Sequence, residues 1–276
     1  MSKILRYGVL GCGYFGAEFA RAVKEQTGSE LAMIYSPGES SKRLSAELAC
    51  PIANTAEELI NSPFVDAVIV ATPNYMHKEH VLAAAKAKKH IFCEKPFALN
   101  KDDADEMVKA CKASGVTLMV GHIMHFYSGI EALQKMIKSG EMGVIINAHV
   151  ERTGWEHKKA EISWKKQQAK SGGHLFHHIH EIDIIQWIMG EADSVYAVGD
   201  NLGHKEEGFG DEADVLLLTM RFKNGSFATL QYGSGFRIGN HFIRINGTKK
   251  GAVINFKTAE ITIKSDDGET IIPLFK

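Results

Sequence analysis

The sequence is short of several features that mark other classes of protein. Its apolar runs are brief, the most notable being V-I-V-A at Val68–Ala71, whereas a membrane-spanning helix needs roughly 18 or more such residues. A membrane-spanning helix is thereby excluded. Charge of one sign is also missing, since 32 Lys and Arg face 33 Asp and Glu. Without a global field or a basic block, neither nucleic acid nor a membrane surface is an expected partner. The four cysteines, Cys12, Cys50, Cys93 and Cys111, form no C-x-x-C pair, which argues against a disulfide framework or a cysteine zinc site. The N-terminal M-S-K-I-L-R-Y-G-V-L-G carries no secretion-signal pattern, so a cytoplasmic protein with reduced thiols is expected. There is no internal repeat and no low-complexity segment. What remains is an ordinary globular composition: 276 residues, 45% of them apolar, enough for one large domain or two modest ones.

The first 121 residues alternate β-rich runs with helical stretches. Strands are expected at Ile4–Leu10, Leu31–Tyr35, Ala67–Ala71, Ile91–Glu94 and Thr117–Val120, with helices at Phe15–Glu25, Met76–Ala87 and Asp102–Ala113. This alternation predicts right-handed β-α-β crossovers and an α/β domain, a doubly wound parallel sheet covered on both faces. The remainder, 122–276, reads as α+β: eight strands of a mostly antiparallel sheet, interrupted by one long amphipathic helix near Leu175–Met189. The Asn224-Gly225 pair predicts a hairpin, because Asn-Gly tolerates the positive φ of tight turns.

The strongest local signal is G-C-G-Y-F-G at Gly11–Gly16, between the first strand and the first helix. In the dinucleotide fingerprint Gly11 makes the turn, Gly13 admits a pyrophosphate and Gly16 lets the helix approach the strand; Tyr14 and Phe15 complete the loop. The free N–H groups at the helix start then favour an anion. At the end of the second strand, where NAD-selective sites place an acid on the ribose, stands Ser36, followed by Ser40, Ser41, Lys42 and Arg43. An acid would repel a 2′-phosphate, so either NAD or NADP is permitted, with a slight lean to NADP through Lys42 or Arg43. Thr72, Pro73 and Asn74 follow a buried strand on the edge that faces the ligand crevice. Glu94, Lys95 and Pro96 do the same one strand later.

Taken together, G-C-G-Y-F-G, A-T-P-N with His77 downstream, C-E-K-P, G-H-I-M-H-F and S-G-G-H-L-F-H-H-I-H-E-I-D resemble the Gfo/Idh/MocA family of NAD(P)-dependent oxidoreductases. F-K-N-G-S-F and I-N-G-T-K-K-G extend the likeness, which runs from about residue 4 to residue 256. The resemblance implies a Rossmann domain and a C-terminal domain whose open-faced sheet is used for oligomerisation, giving a homodimer or homotetramer. It also implies oxidation or reduction of a secondary alcohol on a sugar, glycoside or cyclitol.

Carried over, the family's lysine is Lys95 and its histidine is His180, followed by Asp183. The chemistry is coherent: a histidine titrating near neutrality suits removal of the hydroxyl proton, and Lys95 stabilises alkoxide character. Both should converge on one oxygen. The resemblance further implies cofactor contacts from Thr72, Asn74, His77 and Glu94, and substrate contacts from Asp183, His122, Tyr127 and Trp155, with His125 and Phe126 beside them.

The chain departs from the family in three places. Many members carry an aspartate shortly before the catalytic histidine, and His177 stands there as a second proton-transfer or hydroxyl-binding group. A Trp-Arg pair near the cofactor has Trp164 and Lys165 as its counterpart. The chain also ends some tens of residues early, as a short variant or truncated product would. His174, His177, His178, His180 and Glu181 could share helix faces suited to a divalent ion. No metal is expected, because the family mechanism needs none. Two other functions stay open: an enzyme that retains its NAD and cleaves glycosides without net redox change, and a non-catalytic dinucleotide sensor.

Overall fold

The computed structural model describes residues 4–275. They divide into two compact units at Gly121/His122, each built on its own sheet.

The first unit holds β1 (Leu5–Leu10), α1 (Tyr14–Glu25), β2 (Ser29–Tyr35), α2 (Glu39–Leu48), α3 (Ala56–Asn61), β3 (Ala67–Val70), α4 (His77–Lys86), β4 (His90–Cys93), α5 (Lys101–Ser114) and β5 (Leu118–Val120). The strands lie in the order β2-β1-β3-β4-β5, all parallel. Because β1 has β2 on one side and β3 on the other, the order reverses between β1 and β3, and a crevice opens at their carboxyl ends. Every residue of β3, A-V-I-V, is buried, as a strand covered on both faces requires.

Helices lie on both faces, as expected of a doubly wound sheet. Val9, Ile34 and Ile69 pack with Ala20, Val23 and Leu44 of α1 and α2, while α3, α4 and α5 supply Leu59, Val81, Ala84 and Met107 to a separate cluster. With only α1 and α2 on the first side, an apolar groove of about 580 Å³ remains along Tyr7, Phe19, Phe92 and Met119. The cap of α3 is local chemistry: Thr55 accepts from the Glu58 N–H at 3.0 Å. Asn100 caps α5 in the same way through Asp103 N–H at 2.8 Å.

The second unit contains α6 (Ser128–Lys138), β6 (Ile145–Thr153), α7 (Gln168–Ser171), α8 (His174–His177), α9 (His180–Met189), β7 (Ala192–Asp200), β8 (Val215–Phe222), β9 (Phe227–Gly233), β10 (His241–Gly247), β11 (Gly251–Asn255), β12 (Glu260–Ser265) and β13 (Gly268–Pro273). Its eight strands run β13-β12-β11-β10-β6-β9-β8-β7. All neighbours are antiparallel except β6 and β9. One face is buried under α6 and α9, where Ile130, Leu133, Ile184 and Ile185 meet Val150, Leu230, Ile243 and Ile254. The opposite face carries exposed Tyr196, Val198, Leu217, Phe227 and Ile271, so this sheet is one-sided.

Two expectations change here. The helix foreseen at Leu175–Met189 is two helices, broken where His178 leaves helical geometry at φ −114°, ψ 44°. The β8–β9 connection does form at Asn224-Gly225, yet only Gly225 has positive φ, at +87°. Asn224 works instead through its side chain. Its Oδ1 accepts from the Ser226 amide and hydroxyl at 3.0 and 2.6 Å, and its Nδ2 donates to Met189 O at 2.9 Å, tying the turn to the end of α9.

Candidate active site

In the first unit the glycine loop meets the backbone that follows β3. Gly11 has φ +92°, and a Cβ there would stand 2.4 Å from Ala71 O. A Cβ on Gly16 would stand 1.7 Å from Gly11 O. No side chain fits at either position, so the first turn of α1 lies directly against the end of β1. At Gly13, by contrast, a Cβ would meet nothing within 4 Å, and Gly13 begins the twelve-residue α1 with no side-chain cap. The N–H groups of the following turn therefore start beside exposed backbone at Gly13, Tyr14 and Phe15. A cradle of backbone donors at a helix N-terminus, with space above it, fits a dinucleotide pyrophosphate.

Around the crevice, Ser36 follows β2 directly and its Oγ lies 3.4 Å from Ser40 Oγ. Lys42 pairs with Glu39 at 2.7 Å and Arg43 is exposed. Thr72 Oγ1 lies 3.1 Å from His80 Nδ1, and Asn74 is buried. Glu94 is buried beside Lys95, and burial pushes its carboxyl up to about 7 even though Lys95 pulls it down. Its Oε2 accepts from the Lys95 amide at 3.2 Å. Gly121, which the sequence reading did not single out, makes room for this carboxyl: a Cβ there would stand 2.9 Å from Glu94 Oε1. The Lys95–Pro96 bond is cis.

His77 is corrected from a cofactor contact to a structural residue. It is fully buried, with Nδ1 2.8 Å from Pro96 O and Nε2 2.9 Å from Thr72 O. Burial lowers its pKa against the pull of these carbonyls, and its ring spans the Thr72 and Pro96 loops as a strut.

In the second unit a set of histidines collects on Asp183. His180 and Asp183 stand three positions apart on α9 and so share a face. Asp183 Oδ2 is 2.5 Å from His125 Nε2 and 3.4 Å from His122 Nδ1. The His122 ring lies 6.2 Å from His180, edge to face, and His125 stacks on Trp187 at 4.1 Å. The arrangement offers imidazoles backed by a carboxylate, the usual means of fixing a histidine's orientation for proton transfer. His125 is thus a central member, signalled only by its place in G-H-I-M-H-F. Tyr127 does not join the set. It precedes α6, packs against the sheet core and meets Phe275 at 5.5 Å.

His174, His177 and His178 lie ring to ring, but the break after α8 turns His180 away to another partner. His174 lies 3.7 Å from Glu212, His177 is edge-on to Trp164 at 6.4 Å, and His180 faces His122. Among the described residues no group of three His, Cys, Asp or Glu could hold a metal ion. Lys165 reaches over the Trp164 ring, 6.0 Å from its centroid. Trp155 lies under Arg237 at 3.6 Å and beside His204 at 4.7 Å, on the wall of an open groove. Residues absent from the sequence reading also matter here, above all Arg152 and His241 paired to the buried Glu181, a trio whose members are far apart in the chain and follow no motif.

The two units correspond to two family models. Residues 5–122 match the Gfo/Idh/MocA oxidoreductase family, NAD-binding Rossmann fold, and residues 134–272 match that family's C-terminal alpha/beta domain. The chain belongs to the Gfo/Idh/MocA oxidoreductase family. Among family members, it is 48% identical to 2,7-anhydro-N-acetylneuraminate hydratase of Escherichia coli K12, over 92% of this chain and 68% of that one. It is 33% identical to myo-inositol 2-dehydrogenase of Thermotoga maritima, over 82% of this chain and 67% of that one. Its fold superposes on the WlbA dehydrogenase of Bordetella pertussis, solved with NADH and UDP-GlcNAcA, with a TM-score of 0.88 at 22% identity, covering 96% of this chain and 78% of that one. The family's cofactor is a nicotinamide dinucleotide, and the Gly11–Gly16 cradle fits it. No helix among the described residues is long and apolar enough to cross a membrane.

Proposed function

We propose that this protein oxidises a secondary hydroxyl of an anhydro-sugar acid of the neuraminate type, and that the hydride is later returned, so that the net reaction is addition of water across the anhydro bridge. The observation that carries this reading is the 48% identity, over 92% of the chain, to a hydratase of that substrate. The Gly11, Gly13 and Gly16 loop would hold the pyrophosphate of a nicotinamide dinucleotide, which when bound would supply the hydride acceptor and donor. Glu94, Thr72 and Asn74 line the ribose side, and Trp164 with Lys165 is the counterpart of the Trp-Arg pair that many relatives carry. Lys95 holds negative charge on the reacting oxygen. His180 takes the hydroxyl proton, with Asp183, His122 and His125 fixing the imidazole's orientation. His177 binds a neighbouring hydroxyl, in the place where many relatives carry an aspartate.

Ser36 sets cofactor choice. It offers a hydroxyl in place of a carboxylate, and Arg43 lies exposed nearby, so NADP is accepted beside NAD. The open face of the eight-stranded sheet, with Tyr196, Leu217 and Phe227 exposed, forms the contact of a homodimer or homotetramer. Four buried free cysteines accord with a reducing, cytoplasmic setting.

The test is incubation with 2,7-anhydro-N-acetylneuraminate and catalytic NAD in H₂¹⁸O. The expected product gains one labelled oxygen, and no reduced nicotinamide accumulates. Reduced nicotinamide formed in step with sugar consumption would instead establish a plain dehydrogenase. That second reading is supported by the likeness to myo-inositol 2-dehydrogenase.

A further inference from the structure

Beside the histidine segment, the second unit has an open groove of about 490 Å³ whose walls include Arg152, Trp155, Lys159, His174, His178 and Ser234. Most charges around it are already matched. Lys166 lies 2.9 Å from Glu156 and 2.8 Å from Glu212, and Lys158 lies 2.6 Å from Glu206. Arg152 is different. It stands near the end of β6 and gives one nitrogen, Nη1, to Glu181 Oε1 at 2.6 Å. Glu181 is fully buried, with the opening residues of α9 around it, and the same Oε1 takes His241 Nε2 at 2.6 Å. His241 is itself stacked on Phe256 at 4.2 Å.

The guanidinium is thus pinned from behind by a buried acid. Burial alone would raise the Glu181 carboxyl, but His241 and Arg152 more than offset it and keep it ionised. Among the described residues, no protein acceptor engages Arg152 Nε or Nη2. A guanidinium is a planar fork suited to a carboxylate, and rigid anchoring removes the entropy that a free arginine loses on binding. The ion pair also presents its positive end to the groove, and Lys159, 4.0 Å from Glu156 in its nearest ion pair, adds to that field.

We infer that Arg152, positioned by Glu181 and His241, is the residue that recognises the carboxylate of an anionic sugar, and that this groove is the acid-binding end of the substrate site. The location is consistent with that role. His178 lies 4.5 Å from His174 and 4.8 Å from His177, ring to ring, so the groove wall leads directly into the segment that carries His177 and His180. Ser234, nearly buried, offers a hydroxyl to the same group. The inference rests on the proposed reading for the identity of the sugar, but not for its charge.

The test is calorimetric titration of the NAD-loaded enzyme with N-acetylneuraminate and, separately, with its methyl ester. A charge-assisted fork predicts about 30-fold tighter binding of the acid. In the paired variant Arg152→Gln with Glu181→Gln, which leaves no buried charge alone, that ratio should fall to about 1 while ester affinity stays within about threefold. Arg152→Lys, which keeps the charge and loses the fork, should lose about tenfold in affinity for the acid alone. If the paired variant fails to fold, this single variant decides the question. Equal binding of acid and ester by the wild type, or a ratio unchanged in the variants, overturns the inference. Failure of the proposed reaction is separate: acid binding through Arg152 with no hydration of the anhydro-sugar would leave this assignment standing and remove the other.

Discussion

The parallel unit presents a ligand with backbone, and the second unit presents side chains. At Gly11–Gly16 the useful groups are N–H donors and the absence of any Cβ. On α9 and β6 they are His180, Asp183, Glu181 and Arg152, the last three set by ion pairs with partners 29 to 60 positions away in the chain. Histidine shows the same contrast within one residue type. His77 is sealed between two carbonyls, where burial lowers its pKa, whereas His125 lies against a carboxylate at the edge of solvent. A histidine's role follows from what borders it, and a ring sealed from solvent between two carbonyls has no open path to a ligand.

The sharpest way to break this comparison is to give the backbone site a side chain. Gly16→Val, whose Cβ would overlap Gly11 O, should lower NADH affinity by about 100-fold or more, as followed by nicotinamide fluorescence. The opposite experiment is His180→Asn. Turnover should fall by about 10³-fold, within the usual range for loss of a general base, with NADH titrating as in the wild type. Loss of NADH affinity in that variant would blur the division between the two units.

A smaller effect concerns Glu94. Its carboxyl, raised to about 7 in the folded protein, binds a proton more tightly folded than unfolded. The stability this provides is complete at acidic pH, below the unfolded value, and is lost as pH rises through about 7. The whole swing is about 3 kcal/mol. Glu94→Gln cannot ionise, so urea unfolding should find it near the wild type at pH 4 and up to about 3 kcal/mol more stable at pH 8. A gap independent of pH would show that the carboxyl is not desolvated. Smallest of all, Asn224→Ala removes the side-chain link from the β8–β9 turn to Met189 O and should cost about 1 kcal/mol, measured as a lower denaturation midpoint with unchanged turnover.

The legible parts of the fold were those whose causes are local. The A-V-I-V run is continuous because β3 is buried on both faces, and the alternation in β8 reports one covered face. The expected strands of both sheets lie within a few residues of the observed ones. The break between α8 and α9 escaped notice because apolar spacing continues through it. α6 was missed as a full helix. The parallel pairing of β6 with β9 leaves no mark on either strand's pattern.

The site divides in the same way. The sequence by itself determined the dinucleotide loop, because a glycine's demand for positive φ or for close backbone approach is met within a few residues and is written where it occurs. It also marked Lys95 and His180 through short motifs. Tertiary structure alone decided that His77 is a strut, that His125 completes the Asp183 set, and that Arg152 is pinned by Glu181 and His241. Those assignments depend on burial and on partners brought together from distant strands and helices, and electrostatic pairing across such distances in the chain has no local signature to read.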